Sequence, residues 1–341
     1  MTAWPKMAAE KGLQSSSAHL ADDYGRRFRY LRLSITEVCN FRCAYCLPDG
    51  YRKTPGDFLE VDQIARLIAG FASLGVTKVR LSGGEPSVRR DLTRIIGVAA
   101  RTPGIEKVAL TTNGWRLEQE VRGWRDAGLT HLNVSADSLD PAVFARITGH
   151  DLLPRILEGV DTALGLNFGA VKLNAVLLRN TVDAVFDQFA AWLRDRPATV
   201  RFIELMRTLD NVAWFEDQHV RAGVLEQWLT DRGWTPSPRR PDDGPAVEYG
   251  HPDYAGRFGV IAPYAANFCD GCNRLRVTAR GRLRLCLFGE GGVDLRDLLA
   301  ADVEPQRLEQ RILDALPTKA RGHELMLGRS GDLRRMADVG G

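Results

Sequence analysis

The chain has 341 residues, 44% of them hydrophobic and 26% charged, and a formal net charge of +3. That length buries a core without disulfide staples, and so small a charge excludes wholesale binding to nucleic acid or a membrane surface, so any use of positive charge is local. No apolar run reaches the length of a membrane-crossing helix. Residues 1 to about 20 carry acids and no apolar core of signal-peptide length, so a flexible N-terminal tail and a cytoplasmic location are expected.

In chain order, short strands alternate with helical stretches from residue 30 to about 206. Strands are predicted at 30–36 (YLRLSIT), 78–84 (KVRLSGG), 107–113 (KVALTTN), 131–137 (HLNVSAD), 171–178 (VKLNAVLL) and 200–206 (VRFIELM). Between them, apolar residues at three- and four-residue spacing predict helices such as 61–74, 115–127 and 182–194, with Gly and Pro at the joints. Repeated strand–helix units give an α/β fold with a parallel sheet, open or curled into a partial barrel. The charged stretch PSPRRPDDGP, 236–245, reads as a linker. Beyond it, the short strands and glycine turns of GRFGVIAPY and RLRVTARGRLRLCLF predict a smaller second domain. The expected division is a tail over 1–20, a barrel over 21–236 and a C-terminal domain over 237–341.

Parallel strands covered on both faces usually read as continuous apolar runs, but these alternate. Leu31, Leu33, Val79, Leu81, Leu132, Val134, Val171 and Leu173 form one face, suited to packing under helices. The other face carries Arg32, Ser34, Thr36, Lys78, Arg80, Ser82, Thr111, Asn113, Asn133, Ser135, Asp137, Lys172 and Asn174. Unpaired buried charges are costly. Cations gathered on one concave face therefore argue for a water-filled cavity that receives an anion. A one-sided sheet whose polar face meets solvent is the alternative.

The six cysteines fall in two triplets, Cys39–Cys43–Cys46 and Cys269–Cys272–Cys286, with none between. Without a secretory signal this favours metal or cluster binding over disulfides. The first triplet, CNFRCAYC, follows directly on a strand, and a thiolate loop this tight can wrap an iron–sulfur cluster. Three thiolates leave a four-iron cluster one open position, which points to chemistry rather than structure. A zinc site completed by a distant His, or buried free cysteines, are the alternatives. In the second triplet, Arg274, Arg276, Arg280, Arg282 and Arg284 stand among the cysteines, and Gly281 offers a turn between two short strands. Alternation puts Arg274 and Arg276 with Cys272, and Arg282 and Arg284 with Cys286. Guanidinium forks match phosphate oxygens, so a phosphate-bearing ligand is expected there; a solvated face on a small sheet is the alternative. The histidines, including His131, His150, His219 and His323, show no ligand spacing.

The Cys-x3-Cys-x2-Cys spacing with Tyr45 before its last cysteine, backed by GGEP at 83–86, resembles the radical S-adenosylmethionine family. The resemblance implies a partial (β/α)6 TIM-like barrel with a smaller C-terminal auxiliary-cluster domain. It implies a [4Fe-4S] cluster on Cys39, Cys43 and Cys46, with GGEP holding the amino group of S-adenosylmethionine. The cluster passes one electron to the sulfonium, and the resulting 5′-deoxyadenosyl radical takes hydrogen from the substrate; the cofactor carries this chemistry and the protein orients it.

From about residue 22 to the last, LRLSITEVCNFRCAYC, VRLSGGEP, LTTNG, NVSAD, RFIELM, CDGCNRLRVTARG and a terminal Gly340–Gly341 resemble, within that family, the GTP 3′,8-cyclases of molybdenum cofactor biosynthesis. Position by position, this implies Tyr45, Gly84, Ser135 and Met206 against S-adenosylmethionine. It implies Arg32, Arg80, Thr111, Lys172, Arg274, Leu275 and Arg276 around GTP, with Arg201 joining the phosphate site. A second [4Fe-4S] cluster on Cys269, Cys272 and Cys286 meets the guanine edge, and Gly340 and Gly341 thread into the site as catalytic support. The implied product is (8S)-3′,8-cyclo-7,8-dihydroguanosine 5′-triphosphate. The implied partners are a flavodoxin- or ferredoxin-like one-electron reductant and a downstream cyclic pyranopterin monophosphate synthase; a homodimer is allowed, and no nucleic acid or membrane is engaged. Departures are Leu47 for a usual Met, Glu37–Val38 for an Asp–Arg pair, and Ala136 for a Leu, none of which removes a cluster ligand. A peptide-modifying radical enzyme with an auxiliary cluster, and a non-enzymatic metal-binding protein of the same fold, are the alternative readings. The cavity cations and the lack of spare cysteines favour a nucleotide.

Overall fold

The computed structural model describes residues 20–53, 56–238 and 243–340. The expected tail lies, apart from Leu20, outside them. Strands β1 (Tyr30–Thr36), β2 (Lys78–Gly83), β3 (Lys107–Thr112), β4 (His131–Ser135), β5 (Ala170–Leu177) and β6 (Thr199–Glu204) fall where alternation predicts them. Each pairs with the next in parallel. The connections are helical: α1 (Val61–Ser73), α2 (Leu92–Arg101), α3 (Leu117–Asp126), α4 (Pro141–Thr148), α5 (Leu153–Leu164) and α6 (Val182–Leu193), with α7 (Val212–Gln218) and α8 (Gly223–Asp231) after β6. Among the described residues no helix is long and apolar enough to cross a membrane.

Local chemistry sets the helix ends. The Asp140 carboxylate accepts from the Val143 N–H at 2.9 Å, Pro141 takes the first helical position, and Gly149 ends α4 in the left-handed region at φ 76°. At the start of α1 the Glu60 N–H donates to the Gln63 side chain at 3.0 Å. The apolar stripe of α1, Ile64, Leu67, Ile68 and Phe71, is buried. It joins the same core as Leu31, Leu33, Val79 and Leu81. The apolar face of the sheet therefore lies under the helices, and the polar face lines the concave interior. β5 shows this most plainly, since its residues alternate between partly exposed and buried along its whole length.

The C-terminal strands extend the same sheet at both edges. They are β7 (Thr235–Pro236), β8 (Val247–Gly250), β9 (Arg257–Ile261), β10 (Arg274–Val277), β11 (Arg282–Arg284) and β12 (Val293–Asp294), followed by α9 (Pro305–Ala315). β9 adds parallel to β6, and β8 and β7 follow antiparallel. β10 adds parallel to β1, and β11 and β12 follow antiparallel. The stretch 236–245, expected as a linker, instead joins two paired strands, since Pro236 pairs with Tyr249; its residues 239–242 lie outside the described residues. α9 packs on α1, where the Glu309 carboxylate accepts from the Ser73 hydroxyl at 2.6 Å. Placing β10 beside β1 is what brings the second cysteine triplet next to the first.

Candidate active site

Register puts like charges side by side. Arg276, Arg32 and Arg80 occupy one row across β10, β1 and β2, and Arg274, Tyr30 and Lys78 occupy another. Adjacent strands lie about 4.8 Å apart, and like charges directly opposite one another are destabilising. Arg80 and Arg276 are each 5% exposed, so water does little to relieve the repulsion. A row of guanidiniums of this kind suits an anionic ligand.

Two adjoining cavities share Arg32, Thr111, Asn174, Ile203, Pro245, Ile261 and Arg274 as common wall. The upper one, about 270 Å³, lies at the C-terminal strand ends, and all six cysteines line it. The lower one, about 840 Å³, lies at the N-terminal ends, with the first residue of each strand from β1 to β6 in its wall. Its cations include Lys78, Arg80, Lys107, Lys172 and Arg201.

The lower cavity is electrostatically strained. Burial pushes the Tyr30 phenol up, but Arg80, Arg32 and Lys78 together bring it down to about 7. The Arg80 guanidinium donates to the Tyr30 oxygen through Nε and to the Thr111 hydroxyl at 3.0 Å through Nη1. Burial and then Arg201 lower Lys172 to about 8, with Glu248 acting against them. His131 is lowered to about 4 by burial and by Lys78, Arg80, Lys107 and Lys172. Glu248 goes the other way, to about 2: burial raises it, but Lys172 and Arg201 outweigh burial.

In the upper cavity, burial pushes the Cys39 thiol up to about 11 and that of Cys46 up to about 12, and raises Cys43 as well. Cys272 differs, because Arg274, Lys319 and Arg26 overcome the effect of burial and hold it below the ordinary thiol range. The Tyr45 hydroxyl donates to Asp137 at 3.0 Å. Burial raises the Asp137 carboxyl to about 6 against the bonds from Val176 N–H and Tyr45.

The donor set fits the cofactors that the sequence implies. Among the described residues no three His, Cys, Asp or Glu side chains converge as ligands of a single metal ion. The thiols of each triplet are nonetheless electrostatic neighbours, since Cys46 and Cys39 act on Cys43, and Cys286 and Cys272 act on Cys269. None of the six is in a disulfide. Thiols that line one cavity without converging on a single ion suit a cluster whose cysteines bind separate irons. Beside them the GGEP turn packs backbone on backbone. A Cβ on Gly83 would strike the Thr36 carbonyl, and one on Gly84 would lie 2.6 Å from the Glu37 carbonyl oxygen. The Glu85 carboxylate locks the turn by accepting from the N–H groups of Ser87 at 2.9 Å and Asn113 at 2.6 Å.

Of the residues singled out in the sequence, Tyr45, Gly84, Ser135 and Met206 line the upper cavity. Arg80 and Lys172 line the lower one, Arg32, Thr111 and Arg274 line both, and Arg276 lines the upper. The Leu275 side chain is fully buried in the core on the opposite face, so only its backbone can reach a ligand. The Gly340 carbonyl accepts from Arg276 Nη1 at 2.9 Å, and a Cβ there would come within 3.0 Å of the Ser82 hydroxyl. Gly341 lies outside the described residues.

Of the four arginines that alternation puts with the cysteines, Arg282 and Arg284 do not line the cavities, and neither does Arg280. Arg280 Nε donates to Glu37 at 2.8 Å, Arg284 donates to Asp332 at 2.5 Å and to the Gly289 carbonyl at 2.6 Å, and Arg282 is exposed. Beyond Arg276 the chain turns at Gly281, and the returning strand β11 meets the 289–332 segment instead of the cavity.

Sequence reasoning did not single out Tyr30, Lys107, His131 and Glu248. The first three open their strands, and strand-initial polar residues at successive positions are the signal that finds them. Glu248 carries no such signal, because its role depends on pairing between β8, β9 and β6.

The chain matches the Radical SAM superfamily over residues 33–193 and Molybdenum Cofactor Synthesis C over residues 198–325. It is 55% identical over 325 residues to a GTP 3′,8-cyclase of Stenotrophomonas maltophilia (strain R551-3), covering 95% of this chain and 100% of the relative. It is 52% identical over 328 residues to a GTP 3′,8-cyclase of Aeromonas hydrophila subsp. hydrophila, covering 94% and 96%. Its fold is similar to that of Streptococcus suis SuiB bound to S-adenosylmethionine, with a TM-score of 0.59 and 13% identity over 91% of this chain and 77% of that one.

Proposed function

The chain belongs to the GTP 3′,8-cyclase family of radical S-adenosylmethionine enzymes, and we propose that its two adjoining cavities form one active site with thiols at one end and phosphate-binding cations at the other. The reaction is the cyclisation of GTP to (8S)-3′,8-cyclo-7,8-dihydroguanosine 5′-triphosphate, the first step of molybdenum cofactor biosynthesis. Its cofactors are two [4Fe-4S] clusters and S-adenosylmethionine. Cys39, Cys43 and Cys46 hold one cluster, and Cys269, Cys272 and Cys286 hold the other. Bound there, these groups supply a one-electron route to abstraction of a ribose hydrogen.

The chain's own residues bind and orient. Tyr45, Gly84, Ser135 and Met206 seat S-adenosylmethionine in the upper cavity. There the Tyr45–Asp137 bond fixes the ring and Gly84 lets the cofactor approach the backbone. Arg80, Lys172 and Arg201 neutralise the triphosphate, with Lys78 beside them. Arg32, Thr111 and Arg274 stand at the shared wall, between the phosphates and the ribose. Arg276 and the Leu275 backbone, on the strand that follows the second triplet, hold the base end of the nucleotide. Phe41, Met206, Leu287 and Phe288 line the upper cavity and exclude water from it. Gly340 supports the site through its carbonyl, which accepts from Arg276, and Gly341 is assigned the same supporting role. Residues 21–236 act as the barrel, and 237–341 contribute the second triplet and the tail. A flavodoxin- or ferredoxin-like donor supplies electrons, a cyclic pyranopterin monophosphate synthase takes the product, and a cytoplasmic location keeps the thiols reduced.

The observation that carries this reading is that the thiol-lined cavity and the cation-lined cavity adjoin, with Arg32, Thr111, Asn174 and Arg274 in the walls of both. The test is incubation of the anaerobically reconstituted protein with GTP, S-adenosylmethionine and a reductant. GTP-dependent formation of 5′-deoxyadenosine and the cyclised nucleotide is expected, and no such dependence on GTP overturns the reading.

A further inference from the structure

The lower cavity carries its own anion. Oε1 of Glu248 accepts from Lys172 Nζ at 2.7 Å and from Arg201 Nη2 at 2.9 Å. Two cations converging on one oxygen is what a phosphate oxygen would receive in the same place. We propose that Glu248 is a built-in counter-anion that occupies a phosphate position and that the triphosphate of the substrate displaces; this rests on the nucleotide reading of the cavity.

Register shows how the contact is made. Arg201, Gly259 and Glu248 stand in one row across β6, β9 and β8. Gly259 has no side chain, so Arg201 and Glu248 meet over it. A Cβ at that position would come within 2.9 Å of Arg201 Cγ. The carboxylate is also free to leave. Its side chain is 28% exposed at the cavity wall, whereas that of Arg201 is 10% exposed. Arg201 Nε is buried without a hydrogen-bond partner, so Glu248 does not use all that this guanidinium offers. An incoming phosphate can take that donor and both of those now held by Glu248.

Without a nucleotide, Glu248 relieves part of the repulsion among buried cations. With one, it competes. A ligand with few negative charges gains little by displacing it, whereas a triphosphate also reaches Arg80 and Lys78. Glu248 would thus hold affinity down for every anion and leave the cavity to ligands that engage several cations at once.

The test is calorimetric titration of the full, anaerobically reconstituted chain with GTP, inorganic tripolyphosphate and guanosine. Glu248→Gln is expected to tighten GTP and tripolyphosphate by about tenfold or more and to leave guanosine unchanged. Glu248→Asp keeps the charge but is too short to bridge both cations, so it should fall between Gln and wild type. If Glu248→Gln does not fold, the Asp variant decides alone. GTP binding no tighter than wild type in a folded variant overturns the proposal while leaving the nucleotide site in place. Wild type that binds neither GTP nor tripolyphosphate overturns the nucleotide site as well.

Discussion

Gly84→Ala places a methyl group where the first cysteine loop already lies. The added carbon would sit 2.6 Å from the Glu37 carbonyl oxygen and against the Val38 carbonyl. Neither can give way alone. The Gly84 N–H donates to the Thr36 carbonyl at 3.0 Å, and the Glu85 N–H donates to the Val38 carbonyl at 2.8 Å. These bonds fix the segment that leads directly into Cys39. Overpacking of this kind costs about 1–3 kcal/mol, and here the displacement falls on the backbone that carries the first triplet. The metal-free protein should therefore unfold in urea with stability lowered by that amount. After reconstitution, iron should fall from about eight to about four atoms per chain, the first cluster being lost and the second kept. Gly123→Ala is the matched control. It lies in the exposed interior of α3, its added carbon meets nothing within 4 Å, and it should stabilise by about 0.4–1 kcal/mol with iron unchanged. A Gly84→Ala protein that unfolds like wild type and binds about eight irons would refute the close approach of the GGEP turn to the cysteine loop.

Arg276→Ala removes one member of the arginine row and the donor to Gly340. Hydrogen bonds to charged groups are worth about 1.5–3 kcal/mol, so GTP binding should weaken by about tenfold or more in calorimetry. S-adenosylmethionine binding should be unaffected, and parallel loss of both ligands would contradict the division of the cavity. Lys172, lowered to about 8 by burial and Arg201, attracts phosphate only while protonated. GTP affinity should therefore fall as pH rises through 8, and Lys172→Arg, which stays charged, should abolish that step. Measuring it in a Tyr30→Phe background removes the separate ionisation near 7. His131, lowered to about 4 by burial and four cations, binds fewer protons folded than unfolded between about pH 6.5 and 4. Its contribution to stability is lost as pH falls through that window. His131→Gln should flatten the decline in urea midpoint there, and superimposable acid curves for the two proteins would rule this out.

The barrel was legible because its strands alternate. A strand such as β5, AVKLNAVL, declares one face for helices and one for the cavity, and the register then follows from the parallel order. The Cys39, Cys43 and Cys46 spacing and the GGEP turn were legible because their function is local in sequence. The failures share a cause. Arg280, Arg282 and Arg284 have the same composition and alternation as Arg274 and Arg276, yet Arg280 and Arg284 pair with Glu37 and Asp332, far away in sequence, and Arg282 is exposed. Alternation gives the face of a strand but not how far the cavity extends along it. Glu248 was invisible for the same reason. It meets Arg201 only because Gly259 stands between them on a strand that adds to the β6 edge after a hairpin.

The barrel interior therefore differs in kind from one packed with branched aliphatic side chains. Arg276, Arg32 and Arg80 stand on adjacent strands, and their mutual repulsion persists whenever the protein is folded. The unfolded chain releases them, so the row lowers stability. The strands hold it because the opposite face is continuous core, with Leu31, Leu33, Val79 and Leu81 each fully buried. A polyanion that enters the cavity relieves this repulsion directly, and binding linked to folding raises the stability of the folded state. On this argument the arginine row and the apolar face behind it form one device, in which the core supplies the stability that keeps the cations poised for an anionic ligand.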